Sequence, residues 1–526
     1  MNIATGTLPI ASELLSLALP TKQTAHSTHC TPQQFQAALV RWRKLLGMEH
    51  VQVNAETLTR YAHSTLPTST HPRAVLRPAC TREVSELVKI ASQYNLPLHP
   101  ISRGKNWGYG SACAPGDGWV IVDLGRMNRI LEVNEELAYA VIEPGVTQGQ
   151  MYEYLQANCP GLMLDVTGAG PDASIVGNTL QRGFGHTPYG NHFTHQSGME
   201  VVLNDGRVIR TGFGSQGEHA QCKHLFPWGQ GPALDGLFTQ SNLGLVTSMG
   251  VWLMPKPEVI EAFAFSVPGE EQLSGIVEKL RWLKLHDIVR STVHIANDLR
   301  VISSQRSYPV ELCNVVYPLP ENIRMLLRKE HGIGAWNVMG GLYGTHGMVA
   351  SAKQTVRKMF GELASVQFFS RRKLNVAKTL VTAARYFHFG QQLERKLASA
   401  SSVYDLLCGI PSREHLRGSG WRQVNQTPEQ AFDPGSTGLI WISPVIPATA
   451  KASGEVVALI TESFQEYGFD PLITISTVTE RANVVVSSIH FDLGQPTECQ
   501  AAKQCELVTK QRLAARGYFP YRTGTM

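Results

Sequence analysis

The chain has 526 residues, 43% apolar and 17% charged, enough for roughly two to four domains with buried cores and ordinary for a soluble globular protein. Its net charge of +5, from 47 basic and 42 acidic residues with no block of like sign, gives no footing for nucleic acid as a partner. Nine cysteines, an odd and scattered set without a CxxC pair, argue against a disulfide framework or a zinc site and leave reduced, mostly buried thiols.

In chain order, the first thirty residues lack the basic start and clean apolar run of a secretory leader: Lys22 is the first basic residue and Glu13 interrupts the apolar stretch. They read as a loosely ordered arm, so the expected compartment is the cytoplasm, with the periplasm left open. No run of about 18 apolar residues exists, so no spanning helix and no membrane partner are expected. Residues 31–46 begin with a capping Thr and keep helical apolar spacing. A strand (74–79), a helix (82–95), strands (96–102, 119–124, 138–145) and a helix (147–158) follow. Residues 199–212 form a hairpin about an Asn-Asp-Gly turn. Residues 244–257 are a strand closed by two prolines. Beyond Glu258 amphipathic helices (270–285, 348–366) and strands (472–480, 483–493) mix, with fewer glycines, which places a domain boundary at Lys256-Pro257.

The densest chemical signal is PISRGKNWGYG, Pro100 to Gly110. Here a strand runs into a turn with three glycines, and Arg103 and Lys105 add positive charge. Closely spaced glycines let backbone N–H groups approach an anion such as a pyrophosphate. Read alone, the segment serves equally as a tight surface turn. It is neither a GxGxxG nor a GxxxxGK[ST] fingerprint. Two more glycine-rich stretches, 177–190 and 236–250, suggest a backbone that lies close to something extended, for which a dinucleotide such as FAD is suitable.

PISRGKNWGYG, VIEPGVTQGQMYEYL, GNTLQRGFGHTPYGNHF, SGMEVVLNDGRVIRTG and FTQSNLGLVTSMGVWLMPKP occur in this order. Together they resemble the FAD-binding domain of the vanillyl-alcohol oxidase and p-cresol methylhydroxylase family. The resemblance runs from Arg73 to Pro257 and resumes at GIPSREHLRGSGWR, GLIWISPVIP and YFPYRTG. It implies an α+β fold: a two-subdomain FAD-binding domain with an α+β cap over the flavin. The expected divisions are an arm and helical segment (1–69), the FAD-binding domain (70–257), the cap (258–517) and a C-terminal return to the FAD domain (518–526). The resemblance implies that Ser102, Arg103, Gly104, Lys105 and Asn106 wrap the pyrophosphate. Pro144, Gly145, Gly177, Asn178, Gly183, Leu245 and Val246 would line the rest of the cofactor. No metal is implied.

By the same resemblance, Tyr109, Tyr521 and Arg522 hold a phenolate oxygen. Stabilising the ionised form lowers a phenol's pKa, and an ionised para-substituted phenol gives up a benzylic hydride more easily. The implied reaction passes that hydride to flavin N5 and leaves a p-quinone methide. Two alternatives stay open: a non-phenolic alcohol or amine as substrate, or a flavoprotein subunit serving a cytochrome c. The implied partners are an aromatic small molecule, a cytochrome c or oxygen as electron acceptor, and a second copy of the chain in a homodimer.

The sequence also departs from the family pattern. An aspartate that many members place beside N5 is replaced in Leu164-Asp165-Val166-Thr167-Gly168-Ala169-Gly170-Pro171-Asp172, which makes Asp172 the candidate acid/base. Leu439 stands where oxidases carry the flavin-linking His, and no His or Tyr occurs between His415 and Tyr467, so the flavin is expected to be non-covalent. Arg481 is not followed by the family's His-His pair. The sequence carries no counterpart of the tail element with which the family usually continues past Tyr-Arg-Thr.

Overall fold

The computed structural model describes residues 30–314, 316–383, 388–422 and 437–525. The N-terminal arm up to residue 29, and residues 423–436 of the stretch without His or Tyr, lie outside that set. The first helix, Pro32–Leu46, starts from a capping box in which Thr31 Oγ1 accepts from Gln34 N–H and the Gln34 side chain accepts from Thr31 N–H. Its buried face, Leu39 and Trp42, meets Val84, Leu87 and Val88 of helix Thr81–Gln93, and Trp42 Nε1 donates to Leu87 O at 3.2 Å.

These helices cover a small sheet of β1 (Val51–Gln52), β2 (Ala74–Leu76), β3 (Leu98–Ile101) and β4 (Val120–Asp123), in the order β1-β2-β4-β3. β4 pairs parallel with both β2 and β3 and is buried throughout, as a continuous apolar run between two faces requires. β2 stops at Leu76, short of the expected 74–79, two residues before Pro78, which has no N–H for a ladder.

A second, antiparallel sheet contains β5 (Ile130–Asn134), β6 (Tyr139–Ile142), β8 (Gln196–Leu203), β9 (Val208–Arg210) and β10 (Gly244–Trp252), in the order β5-β6-β10-β8-β9. The β8–β9 hairpin turns at Asn204-Asp205-Gly206, as the sequence predicts. Between them, β7 (Leu162–Met163) pairs with β11 (Met254–Pro255).

From Val259 onward every described strand joins one nine-stranded sheet: β12 (Val259–Val267), β13 (His294–Asn297), β14 (Trp336–Gly344), β15 (Gln367–Phe369), β16 (Thr437–Ile442), β17 (Pro444–Pro447), β18 (Leu472–Ser476), β19 (Ala482–Asp492) and β20 (Phe519–Pro520). We propose the change of sheet as the domain boundary. Strand alternation sets the two faces of this sheet. Ile295, Ile440, Ile442, Ile473, Ile475, Val485, Ile489 and Phe491 pack under helices Leu273–Leu285, His346–Phe360, Ala450–Glu466 and Pro496–Ala515. The intervening residues, among them His294, Trp441, Ser476, Ser488 and His490, lie on the other face. Phe519 and Pro520 pair with β17, and we propose that the C-terminal return begins at Tyr521.

Candidate functional site

β3 releases the chain into the glycine loop, where Gly104, Gly108 and Gly110 have φ of +64°, +69° and +119°. A Cβ at Gly108 would overlap the Trp441 ring, and one at Gly110 would overlap Thr525, so both positions need glycine for space as well as for backbone angle. Neighbours fix the loop: Gly108 N–H donates to Thr65 Oγ1 at 2.8 Å, Trp441 N–H to Gly108 O at 3.3 Å, and Thr525 N–H to Tyr109 O at 3.0 Å.

Several of the expected cofactor residues lie close to one another. A Cβ on Gly177 would lie 3.1 Å from Ser102 Oγ, and Arg103 Nη1 approaches Gly125. Ser174 Oγ donates to Pro144 O at 2.6 Å and accepts from Gly177 N–H at 2.9 Å. Gly145 packs backbone to backbone on Gly125 and Met127, and Gly183 on the Asn178 amide. Lys105 Nζ stands 5.1 Å from the centre of the Trp107 ring. Leu245 packs on the core of the first sheet, while Val246 is buried in that of the second. Asn106 supplies its carbonyl to Tyr109 and Ser111 N–H within the turn. The donor set fits an extended dinucleotide: positive-φ glycines beside two cations, and the hydroxyl of Ser111 buried in the same loop with no hydrogen-bond partner.

Tyr109, Tyr521 and Arg522 come together. The Arg522 guanidinium lies 3.8 Å from the Tyr109 ring centre and 5.4 Å from that of Tyr521, and Tyr109 Oη shares a 3.0 Å hydrogen bond with Ser443 Oγ. Burial raises the Tyr521 pKa. Burial opposes the charge on Arg522, but the Tyr521 and Tyr109 hydroxyls outweigh it and raise its pKa. Arg522 Nε is nevertheless buried without a hydrogen-bond partner. Tyr521 and Arg522 are each only partly buried as whole residues.

Asp172 is placed elsewhere: it is half exposed and accepts from Arg413 Nη2 at 2.7 Å. Asp165, the aspartate of the Leu-Asp-Val stretch, is buried. It accepts from His186 N–H at 3.0 Å and Thr187 N–H at 2.8 Å, and shares a 2.7 Å bond with His192 Nε2. Burial works against its charge, but the interactions with His192 and the Thr187 N–H prevail and lower its pKa. His192 Nδ1 meets Asn178 Oδ1 at 2.7 Å, tying this network to the expected cofactor residues. Leu439 is fully buried in β16, where its N–H donates to Thr65 O. Among the described residues no cluster suited to a metal ion occurs, and no helix is long and apolar enough to cross a membrane.

The sequence reading gave no role at the substrate end to three residues beside this site. His186 Nδ1 and His294 Nε2 share a 2.9 Å hydrogen bond, and His294 Nδ1 meets Ser476 Oγ at 2.9 Å. Phe184, two residues before His186, packs on the Tyr521 ring with centroids 5.9 Å apart. Burial lowers both histidine pKa values, that of His294 to about 4. The third residue is Arg300, whose guanidinium faces the Trp441 ring at 5.6 Å. The alternation Val293-His294-Ile295, with a lone polar residue between core positions, is the signal that finds His294.

The FAD binding domain family matches residues 72–212. Over 497 residues the chain is 37% identical to 1'-carboxy-chondrochloren decarboxylase of Chondromyces crocatus, covering 94% of this chain and 91% of that protein. Over 498 residues it is 32% identical to the 4-cresol dehydrogenase [hydroxylating] flavoprotein subunit of Pseudomonas putida, with coverage of 94% and 89%. Among solved structures, p-cresol methylhydroxylase with substrate bound superposes with a TM-score of 0.83 at 32% identity, covering 94% of this chain and 90% of that one. The isoeugenol complex of 4-ethylphenol oxidase from Gulosibacter chungangensis gives 0.85 at 28% identity, with the same coverage.

Proposed function

Because the chain belongs to the vanillyl-alcohol oxidase and p-cresol methylhydroxylase family of FAD-linked oxidoreductases, we propose that it dehydrogenates a para-substituted phenol at the benzylic carbon. The observation that carries this reading is the Tyr109, Tyr521 and Arg522 cluster, with its buried and unpartnered Arg522 Nε. FAD, when bound, supplies the two-electron acceptor. Ser102, Arg103, Gly104, Lys105 and Asn106 would hold its pyrophosphate, and Pro144, Gly145, Gly177, Asn178, Gly183, Leu245 and Val246 the rest.

Arg522 meets the phenolate oxygen with a fixed positive charge, and the two tyrosine hydroxyls donate to it. These interactions favour the ionised phenol and so lower its pKa inside the site. The ionised ring then releases hydride from the benzylic carbon and becomes a p-quinone methide, with no base required. We assign electron disposal to oxygen or a cytochrome c; the second is supported by the likeness to a flavoprotein subunit.

A second reading concerns how the quinone methide is discharged. It is favoured by the ion pair that engages Asp172 and by the likeness to a decarboxylase. If the carbon next to the benzylic one carries a carboxylate, its C–C bond to that group breaks. The electron pair forms a vinyl double bond, the phenolate is restored and carbon dioxide leaves, with no proton transfer.

The test is Arg522→Ala in the FAD-loaded protein, titrated with 4-alkylphenols. Loss of a charge-assisted bond to a buried anion costs about 1.5–3 kcal/mol, so phenol affinity should fall roughly ten- to a hundredfold while flavin content holds. Unchanged phenol affinity and turnover would show that the phenolate site is misassigned.

A further inference from the structure

We infer that Arg300 forms an anion subsite for a carboxylate on the side chain of the phenolic substrate, an inference that rests on the reading above for the other end of the ligand. Arg300 sits in the first turn of helix Asp298–Gln305, capped by Asn297. Its Nη1 is buried with no hydrogen-bond partner, and no carboxylate among the described residues pairs with it. The nearby acid, Asp298, is taken up by Arg324 and Arg328. An enclosed guanidinium without a counter-charge is strongly destabilising unless something supplies one.

The neighbours are suited to an anion. His490, His415 and His294 all sense the Arg300 charge, and burial first, with that charge second to it or further down, holds them neutral. Neutral imidazoles neither repel a cation nor add a second one. One guanidinium therefore suits a monoanion, and the planar fork matches a carboxylate better than a phosphate dianion. The subsite adjoins the phenol end. Trp441, whose ring Arg300 faces, packs edge-on against Gly108, and Tyr109 is the next residue. As a whole residue Arg300 is only partly buried.

Two anions share this chemistry, a substrate carboxylate and the negatively charged ring of a reduced flavin, and the experiment separates them. The probes are 3-(4-hydroxyphenyl)-3-methylbutanoate and 4-tert-pentylphenol, which differ only in carboxylate versus methyl and have no benzylic hydrogen to lose. Calorimetry on the FAD-loaded protein should show the carboxylate binding at least about tenfold more tightly. Arg300→Gln should erase that preference and leave 4-tert-pentylphenol unchanged, and Arg300→Lys should restore part of it. Equal affinities in the unsubstituted protein, or equal losses of both ligands in well-folded Arg300→Gln and Arg300→Lys, would overturn the subsite. So would a preserved preference in Arg300→Gln accompanied by a lower flavin midpoint potential, which would assign Arg300 to the flavin ring. If Arg522→Ala leaves both affinities intact while Arg300→Gln removes the preference, the phenolate reading fails and the subsite stands. An unsubstituted protein that takes neither probe overturns both.

Discussion

A carboxylate acts as a general base only when it is free to take a proton within reach of the substrate. Asp172 is instead held by Arg413 at 2.7 Å, with both side chains about half exposed. The five residues from Thr167 to Pro171 that precede it carry it to the surface, while Asp165 is committed to two backbone N–H groups and His192. Asp172→Asn is therefore expected to slow flavin reduction by far less than the roughly hundredfold that marks the loss of a general acid/base. Rapid mixing with a 4-alkylphenol checks this, and a larger fall would return Asp172 to the mechanism. The same contrast shows what residue types disclose alone. Tyr109, Tyr521 and Arg522 were legible because each lies in a quoted motif. Arg300 was not, because nothing in Asn-Asp-Leu-Arg tells that the neighbouring acid is already shared by two other arginines.

At the scale of elements, β16 forms one wall of the site. Its alternation sends Ile440 and Ile442 into the helix-covered core and Leu439 and Trp441 to the opposite face. Covalent flavin attachment needs a nucleophilic atom on such a wall. Leu439 offers none, and His490, directly across from it on β19, has Nε2 bonded to Ser488 Oγ and Nδ1 to Ser419 O. His192 likewise has both ring nitrogens engaged, and Tyr404 Oη donates to Ile260 O. Acid precipitation of the holoprotein should accordingly leave free FAD in the supernatant; colour retained in the pellet would show an attachment. Local elements such as the Thr31 capping box and the Asn-Asp-Gly hairpin were legible because caps and turns act over a few residues. The pairing of β16 and β17 along one edge of β19 was not, since which strands adjoin depends on contacts far apart in sequence.

The molecule as a whole has a predictable response to acid. Burial lowers the pKa of His294 and His415 to about 4 and of His490 to about 3, against about 6.5 for an unfolded histidine. Between those limits the unfolded chain binds more protons, so stability is fully present above about pH 6.5 and declines as pH falls through the window. For His490 alone the loss at pH 5 is about 2 kcal/mol, and the others act in the same direction. Urea unfolding midpoints should drop clearly between pH 7 and pH 5, and a level profile would contradict the buried neutral state of these groups. The cradle that joins Tyr109 to Arg522 also has a consequence in time. At about 5–20 residues per second, roughly 20–80 s of synthesis separate the emergence of the two residues. For most of that interval the glycine loop has neither Trp441 nor Thr525 to close it. A nascent chain thus completes its first two sheets well before the proposed phenolate site is whole.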